Sequence, residues 1–338
     1  MRSRAVLAAA FVLGLVLTLS AHFGSRAAGA PMTKIVVAQG FIAQFAIGVW
    51  IAGAHDIFAR NGLDVDVTVV NSTQAMQALV GGSVQIMLGS PGQGLSANAG
   101  GAAVVEIATL APRMAYRFVG RGIRGPHDFK GKKLGTSSSG LSTDRAAMVL
   151  YLRSTGVDPR DVTFITAGPP AQRLVAASTG AIDATVIDPA QWLAAERAGL
   201  SLIADLTTAK IPWDHDVVQT TRQYLHAHRT IVMAFVQSLV EANAFILTPA
   251  NKPAVIDSLA RNLKIDRAET GDLELIYQLT TKLYTVRKPY PSLGAARTLI
   301  ENLKSDFPDL TKAEVEQYVD RSLVKALDDS GFIDRLYK

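Results

Sequence analysis

The 338-residue chain contains no cysteine. That absence excludes disulfide scaffolds, thiolate-ligated zinc, iron–sulfur clusters and thiol nucleophiles, and it removes any dependence on redox state. Anchoring through a lipidated N-terminal cysteine is excluded for the same reason. Charged residues are sparse, at 19% against 49% hydrophobic, so the chain can bury a large core, and its length allows two domains rather than disorder. No block of Lys or Arg exists to neutralise phosphates, which argues against a nucleic-acid partner.

Catalytic signatures are missing as well. Beyond the N-terminal segment the histidines are His55, His127, His215, His226 and His228, and none has the H-E-x-x-H spacing that sets two metal ligands on one helical face. His226 and His228 stand two apart, which points them away from each other on a helix. No G-x-S-x-G nucleophile elbow is present. Gly120-Arg121-Gly122-Ile123-Arg124-Gly125 matches a dinucleotide fingerprint, but Pro126-His127-Asp128-Phe129-Lys130-Gly131 comes next, where a phosphate-cradling loop must open directly into a helix. Neither a cofactor nor a metal is implied.

Residues 1–30 read as an export signal. Arg2 and Arg4 precede an apolar run from Ala5 to Leu19, and Ala27-Ala28-Gly29-Ala30 supplies small residues before Pro31. The run is short for a membrane span, which takes about 20 residues; retention as an N-terminal anchor is the alternative. Removing the segment takes away Arg2, Arg4 and Arg26 and no acid, so the formal charge drops by three from +5 and the mature chain is nearly neutral.

Beyond Pro31 strand-like and helix-like stretches alternate. Lys34–Ala38, Leu63–Val70, Val84–Leu88 and Val104–Leu110 read as strands, with helices over Phe45–Asn61, Thr73–Gly81 and Ser90–Ala99 between them. The pattern restarts with Tyr116–Val119, Lys133–Thr136, Val162–Ile165, Asp183–Ile187 and Leu200–Leu206 as strands and helices over Ser142–Ser154, Pro170–Gly180 and Pro189–Ala198. Past Tyr224 helices dominate, among them Thr230–Leu247, Pro253–Asn262, Asp272–Tyr284, Ser292–Phe307 and Thr311–Leu327. Such alternation predicts an α/β protein of two mostly parallel sheets flanked by helices, with a helical C-terminal extension.

The corners at the carboxyl ends of these strands are where ligands bind in such folds. Gly135-Thr136-Ser137-Ser138-Ser139-Gly140-Leu141-Ser142-Thr143 lies between a strand and a helix, where free N–H groups and the helix dipole attract acceptors and hydroxyls add donors. One helix needs one capping hydroxyl, so a run of serines predicts ligand contact as well. Gly89-Ser90-Pro91 occupies the equivalent corner of the first unit, with Ser90 as N-cap and Pro91 at the first helical position. Gln39-Gly40-Phe41-Ile42-Ala43-Gln44 offers an aromatic face beside amides, with Phe41 equally placed for the core. Asp188, before Pro189, can hold a ligand donor or cap the next helix. Arg113 and Trp213 stand at the changes between units, where a cleft role and a hinge role are both open.

Jointly these motifs resemble the solute-binding proteins of ABC importers for nitrate, sulfonates, taurine and thiamine precursors, the NMT1/THI5-like family. The resemblance covers nearly all of the mature chain. Asp128-Phe129-Lys130-Gly131-Lys132-Lys133-Leu134-Gly135-Thr136 is similar to the family's D-L-K-G-K-x-[IV]-G approach to a strand. Gly180-Ala181-Ile182-Asp183-Ala184 resembles its G-x-[IVL]-D-A strand, and Ile187-Asp188-Pro189 its W-D-P corner with Ile in place of Trp. The resemblance implies a two-lobed type II periplasmic binding protein fold, with residues 31–115 and 214–338 in lobe one and 116–213 inserted as lobe two. It also implies a periplasmic monomer that captures a small organic anion or a polar heteroaromatic by hinge closure and delivers it to membrane permease subunits. The expected ligand contacts are Phe41, Gln44, Ser90 and Pro91 from lobe one and Ser137, Ser138, Ser139, Gly140, Leu141, Ser142 and Asp188 from lobe two. An enzyme on the same fold, a lyase or synthase with Asp188 as its acid or base, and a periplasmic sensor subunit are the rival readings.

Overall fold

The computed structural model describes residues 32–40, 42–137, 141–312 and 314–338. The export signal expected over residues 1–30 lies outside them. Ten strands are formed among the described residues: β1 (Thr33–Gln39), β2 (Leu63–Val69), β3 (Ile86–Gly89), β4 (Val104–Ala111), β5 (Arg117–Gly120), β6 (Lys133–Thr136), β7 (Thr163–Thr166), β8 (Ala184–Ile187), β9 (Ser201–Asp205) and β10 (Asp216–Thr221). They make two five-stranded sheets, ordered β2-β1-β3-β10-β4 and β7-β6-β8-β5-β9.

Each sheet contains one strand that runs against its neighbours. β1 runs parallel to β2 and β3, and β6 parallel to β7 and β8. β10 is antiparallel to β3 and β4, and β5 antiparallel to β8 and β9. The exceptional strand is in each case the first one formed after the chain crosses from the other sheet. The chain leaves the first sheet by β4, builds the second from β5 to β9, and returns through β10. The result is two lobes joined by two crossings, the type II periplasmic binding protein fold.

Several element boundaries differ from those expected. Residues 216–221 form β10, where no strand is expected from the sequence. The expected helix over 45–61 is broken into Ile47–Ala54 and Ile57–Arg60 by Asp56, which takes the left-handed conformation at φ 55° that its short polar side chain tolerates. The expected helix over 311–327 gives way at Val319, which bridges to Glu106 of β4, and the Asp320 N–H donates to the Glu106 carbonyl at 2.8 Å. Its helical parts are Val315–Tyr318 and Ser322–Asp329. Helix Thr270–Leu279 ends in a wider π turn, Thr280–Tyr284.

The main core of lobe one packs helix Arg229–Leu247 against the first sheet. Among the described residues this is the one helix long and apolar enough to cross a membrane, yet Val232, Phe235, Val236, Leu239 and Val240 are buried among Ile47, Val49 and Ile107. Burying such a side chain contributes about 1.5–3 kcal/mol, so this face holds the lobe together. Gly48 permits the contact, because a Cβ there would lie 2.7 Å from Leu239 Cδ1.

Candidate functional site

On lobe one, β3 ends at Gly89, Ser90 is the N-cap, and Pro91 opens helix Pro91–Ala99. The corner is supported from beneath by two side chains of distant sequence. Tyr318 Oη donates to the Pro91 carbonyl at 2.6 Å, and Gln219 Nε2 donates to the Ser90 carbonyl at 3.2 Å and to Tyr318 Oη at 2.8 Å. Ser90 Oγ is buried with no hydrogen-bond partner among the described residues.

On lobe two, β6 runs into the serine corner and helix Thr143–Ser154 comes after it. Asp144 organises this corner: Oδ2 accepts from the Ser137 N–H at 2.6 Å and Oδ1 from the Ser137 hydroxyl at 2.7 Å. Arg173 Nη1 pairs with Asp144 Oδ2 at 3.4 Å, with both side chains almost fully buried. Its other donors reach the carbonyls of Gly168 and Val186 and the Thr185 hydroxyl. Burial pushes the Asp144 carboxyl up, but the Arg173 charge and the Ser137 hydrogen bonds help to outweigh it and hold the group below the usual carboxylate range. Because its proton is committed to Asp144, the Ser137 hydroxyl presents an acceptor rather than a donor to anything in the cleft.

Asp188 directly follows β8 and bonds side chains of the other lobe. Oδ1 accepts from the Ala190 N–H at 2.8 Å, which caps the turn Pro189–Gln191. Oδ2 accepts from two lobe-one side chains, Gln44 Nε2 at 2.5 Å and Tyr284 Oη at 2.7 Å. Gln44 Nε2 also stands 3.2 Å from Tyr284 Oη. Burial raises the Asp188 pKa above its ordinary value, and the hydrogen bonds from Tyr284, Ala190 and Gln44 offset that only in part.

An aromatic wall adjoins this hub. Phe45 packs edge-on to Tyr284 with centroids 6.3 Å apart and edge-on to His215 at 5.7 Å, and Tyr116 lies 4.4 Å from His215. His215 belongs to the return crossing and ties it to the outgoing one. Its backbone N–H donates to the Ala111 carbonyl at 2.7 Å, and Nδ1 accepts from the Ala115 N–H at 3.4 Å. That leaves the proton on Nε2 and the ring neutral, and burial lowers its pKa to about 4.

The two corners touch. A Cβ at Gly92 would lie 2.8 Å from Leu141 Cγ and 3.0 Å from the Leu141 carbonyl oxygen, so the lobe-one helix meets the lobe-two corner with no space to spare. Of the residues expected in the site, Gln44 and Asp188 are directly joined. Of the two corners, Leu141 is met by Gly92, the residue after Pro91, and Ser137 is tied to Asp144. Phe41, Ser138, Ser139 and Gly140 lie outside the described residues. Arg113 is exposed, and Trp213 is buried in the core. The 120–125 glycine motif leads into the short turn Pro126–Phe129, and Asp128 already accepts from the N–H groups of Arg124 and Gly125, at 2.8 and 3.2 Å. Tyr284, Tyr116, His215 and the Asp144–Arg173 pair were not anticipated; only Asp144, in the first turn after a serine-rich corner, carried a sequence signal.

Two sheets of this order, joined by two crossings and meeting through strand-end corners, define the two-lobed periplasmic binding protein fold. The sequence profile of the NMT1/THI5-like family matches residues 44–251, more than half of the chain, and the chain belongs to that family. Among solved structures, a protein of Bordetella bronchiseptica is similar at TM-score 0.73 and 21% identity, covering 88% of this chain and 97% of that one. The alkanesulfonate-binding protein SsuA of Xanthomonas axonopodis pv. citri is similar at TM-score 0.68 and 18% identity, covering 87% and 100%. The periplasmic nitrate-binding protein NrtA of Synechocystis PCC 6803 gives TM-score 0.71 and 16% identity, covering 88% and 89%. No curated protein matches the chain.

Proposed function

We propose that this protein is the exported solute-binding component of an ABC importer. In this reading residues 1–30 direct export to the periplasm, residues 31–115 with 214–338 and residues 116–213 are the two lobes, and the segments between β4 and β5 and between β9 and β10 are the hinge. The monomer closes on a small polar solute and presents the closed form to permease subunits of the inner membrane. Closure results only if the solute binds the closed form better than the open one.

The observation that carries this is the Gln44–Asp188–Tyr284 hub, a half-buried carboxylate of one lobe whose hydrogen bonds, among the described residues, run across the cleft and to its own turn. A solute donor would be held by Asp188 between the hydroxyls and N–H groups of the two corners: Ser90 and Pro91 on one side, Ser137 to Ser142 on the other. Phe41 and Gln44 would complete the lobe-one wall. Such a pocket suits a polar heteroaromatic or another solute carrying both a donor and an acceptor better than a bare anion.

A thermal-shift screen of the signal-free protein tests the reading, since a ligand bound only by the folded state raises the midpoint. The expected result is a rise with one chemical class that is lost in the Ser90→Ala, Ser142→Ala double variant. Turnover of a bound compound that Asp188→Asn abolishes would instead establish an enzyme. Normal uptake of the compound in a deletion strain would establish a sensor.

A further inference from the structure

The charges around the cleft are unevenly matched. The lobe-two arginines beside it are already held by acids: Arg173 by Asp144 at 3.4 Å and Arg117 by Asp205 at 3.3 Å. Arg117 also lies over the Trp192 ring, 5.7 Å from its centroid. Asp188 has no such partner among the described residues. Its acceptors are filled by an amide, a phenol and a backbone N–H, all neutral, and the cation it senses through space is the committed Arg117. Phe41, Ser138, Ser139 and Gly140 bring no charge by their chemistry. An anion beside Asp188 would meet a carboxylate with no paired cation among the described residues to oppose it.

The walls point the same way. Tyr284 bonds Asp188 directly, Tyr116 senses its charge, and Phe45 packs edge-on to Tyr284 behind them. Aromatic faces attract cations through their quadrupoles, more strongly where water is excluded. With both cross-lobe donors on Oδ2 and the Ala190 N–H on Oδ1, the carboxylate keeps a lone pair on Oδ1 for the N–H group of an incoming cation.

We propose that the solute is a small organic cation, a protonated amine, amidine or N-heterocycle, paired with Asp188 and set against Tyr284, Tyr116 and Phe45. This rests on the solute-binding reading and adds the charge of the solute. The pairing distinguishes this protein from relatives whose names specify sulfonate or nitrate.

The test is isothermal titration of the signal-free protein with propylammonium, benzamidinium and 4-aminopyridinium chlorides, beside sodium methanesulfonate, nitrate and benzoate. At least one cation binds and the anions do not. Asp188→Asn weakens that binding about tenfold or more, as for loss of a hydrogen bond to a charged group, Asp188→Glu restores part of it, and Tyr284→Phe costs less than Asp188→Asn because the charge remains. Asn keeps the capping bond from Ala190, so the variant's unchanged thermal midpoint separates lost binding from lost folding. Binding of an anion without any cation overturns the assignment and leaves the solute-binding reading standing. Cation binding indifferent to Asp188→Asn also overturns it. No response to any compound, with no compaction in small-angle scattering, overturns both.

Discussion

Tyr284 Oη donates to Asp188 Oδ2 over 2.7 Å, joining residues 96 apart in sequence and on opposite lobes. Tyr284 is almost wholly buried and is the last residue of the π turn. A hydrogen bond to a charged acceptor contributes about 1.5–3 kcal/mol. Since this one exists only when the lobes meet, its loss moves the open–closed equilibrium rather than folding. Tyr284→Phe is expected to lower the closed population about tenfold or more in the absence of solute, seen as a larger radius of gyration by small-angle scattering. An unchanged radius would show that Gln44 alone holds Asp188.

Gly92 makes a sharper test of closure. A methyl group there would stand 2.8 Å from Leu141 Cγ and 3.0 Å from its backbone oxygen, and the backbone atom cannot swing aside. The lobes can relieve the clash by separating, because Gly92 and Leu141 belong to different lobes. Gly92→Ala is therefore expected to leave the urea midpoint nearly unchanged while weakening solute binding roughly tenfold, about the 1–3 kcal/mol typical of overpacking. A large drop in stability with intact binding would mean that the contact persists when the cleft opens.

The alternation of strands and helices was legible because each β-branched run is short and bounded by turn residues. β10 was not, and Gln219 shows why. It is fully buried in mid-strand, paired with Glu106 on one side and Met87 on the other, and its polarity is tolerated only because Ser90 and Tyr318 accept from its amide. Those partners lie 129 and 99 residues away, where no local pattern reports them. The same distance hid Tyr284, which reads as the last apolar residue of an amphipathic helix. Gln44 and Asp188 could be picked out because each stands just past a strand at a sheet's carboxyl edge, a place fixed by local sequence.

The Arg173–Asp144 pair sets the stability of lobe two. Removing one member of a buried pair leaves the other uncompensated and costs about 3–5 kcal/mol. Here the orphaned group would be Asp144, which also holds Ser137 in place. Arg173→Met is expected to destabilise the protein by that amount in urea unfolding. Adding Asp144→Asn should recover part of the loss, since a neutral amide needs no counter-charge. A double variant no better than the single would place the cost in Arg173's bonds to Gly168, Thr185 and Val186 instead.

At the return crossing two adjacent groups pull stability in opposite directions with pH. Burial raises the Asp214 carboxyl from 3.8 to about 6, despite the hydrogen bond from the Ser292 N–H at 2.8 Å. Between those values the folded state keeps a proton that the unfolded chain has released, so this contribution is full below 3.8 and is lost as pH rises through 6. His215 does the reverse: burial lowers it from 6.5 to about 4, so in that interval the unfolded chain takes up a proton the folded ring refuses, and stability falls as pH drops. Each displacement corresponds to about 3 kcal/mol, and the two largely cancel. Asp214→Asn removes one side of the balance while Asn can still accept from Ser292. The variant's stability should then climb more steeply from pH 4 to pH 6, with the wild-type advantage shrinking by up to about 3 kcal/mol across that range. Urea unfolding at pH 4, 5 and 6 measures this, and parallel curves for the two proteins would mean that Asp214 titrates as an ordinary carboxylate in the folded hinge.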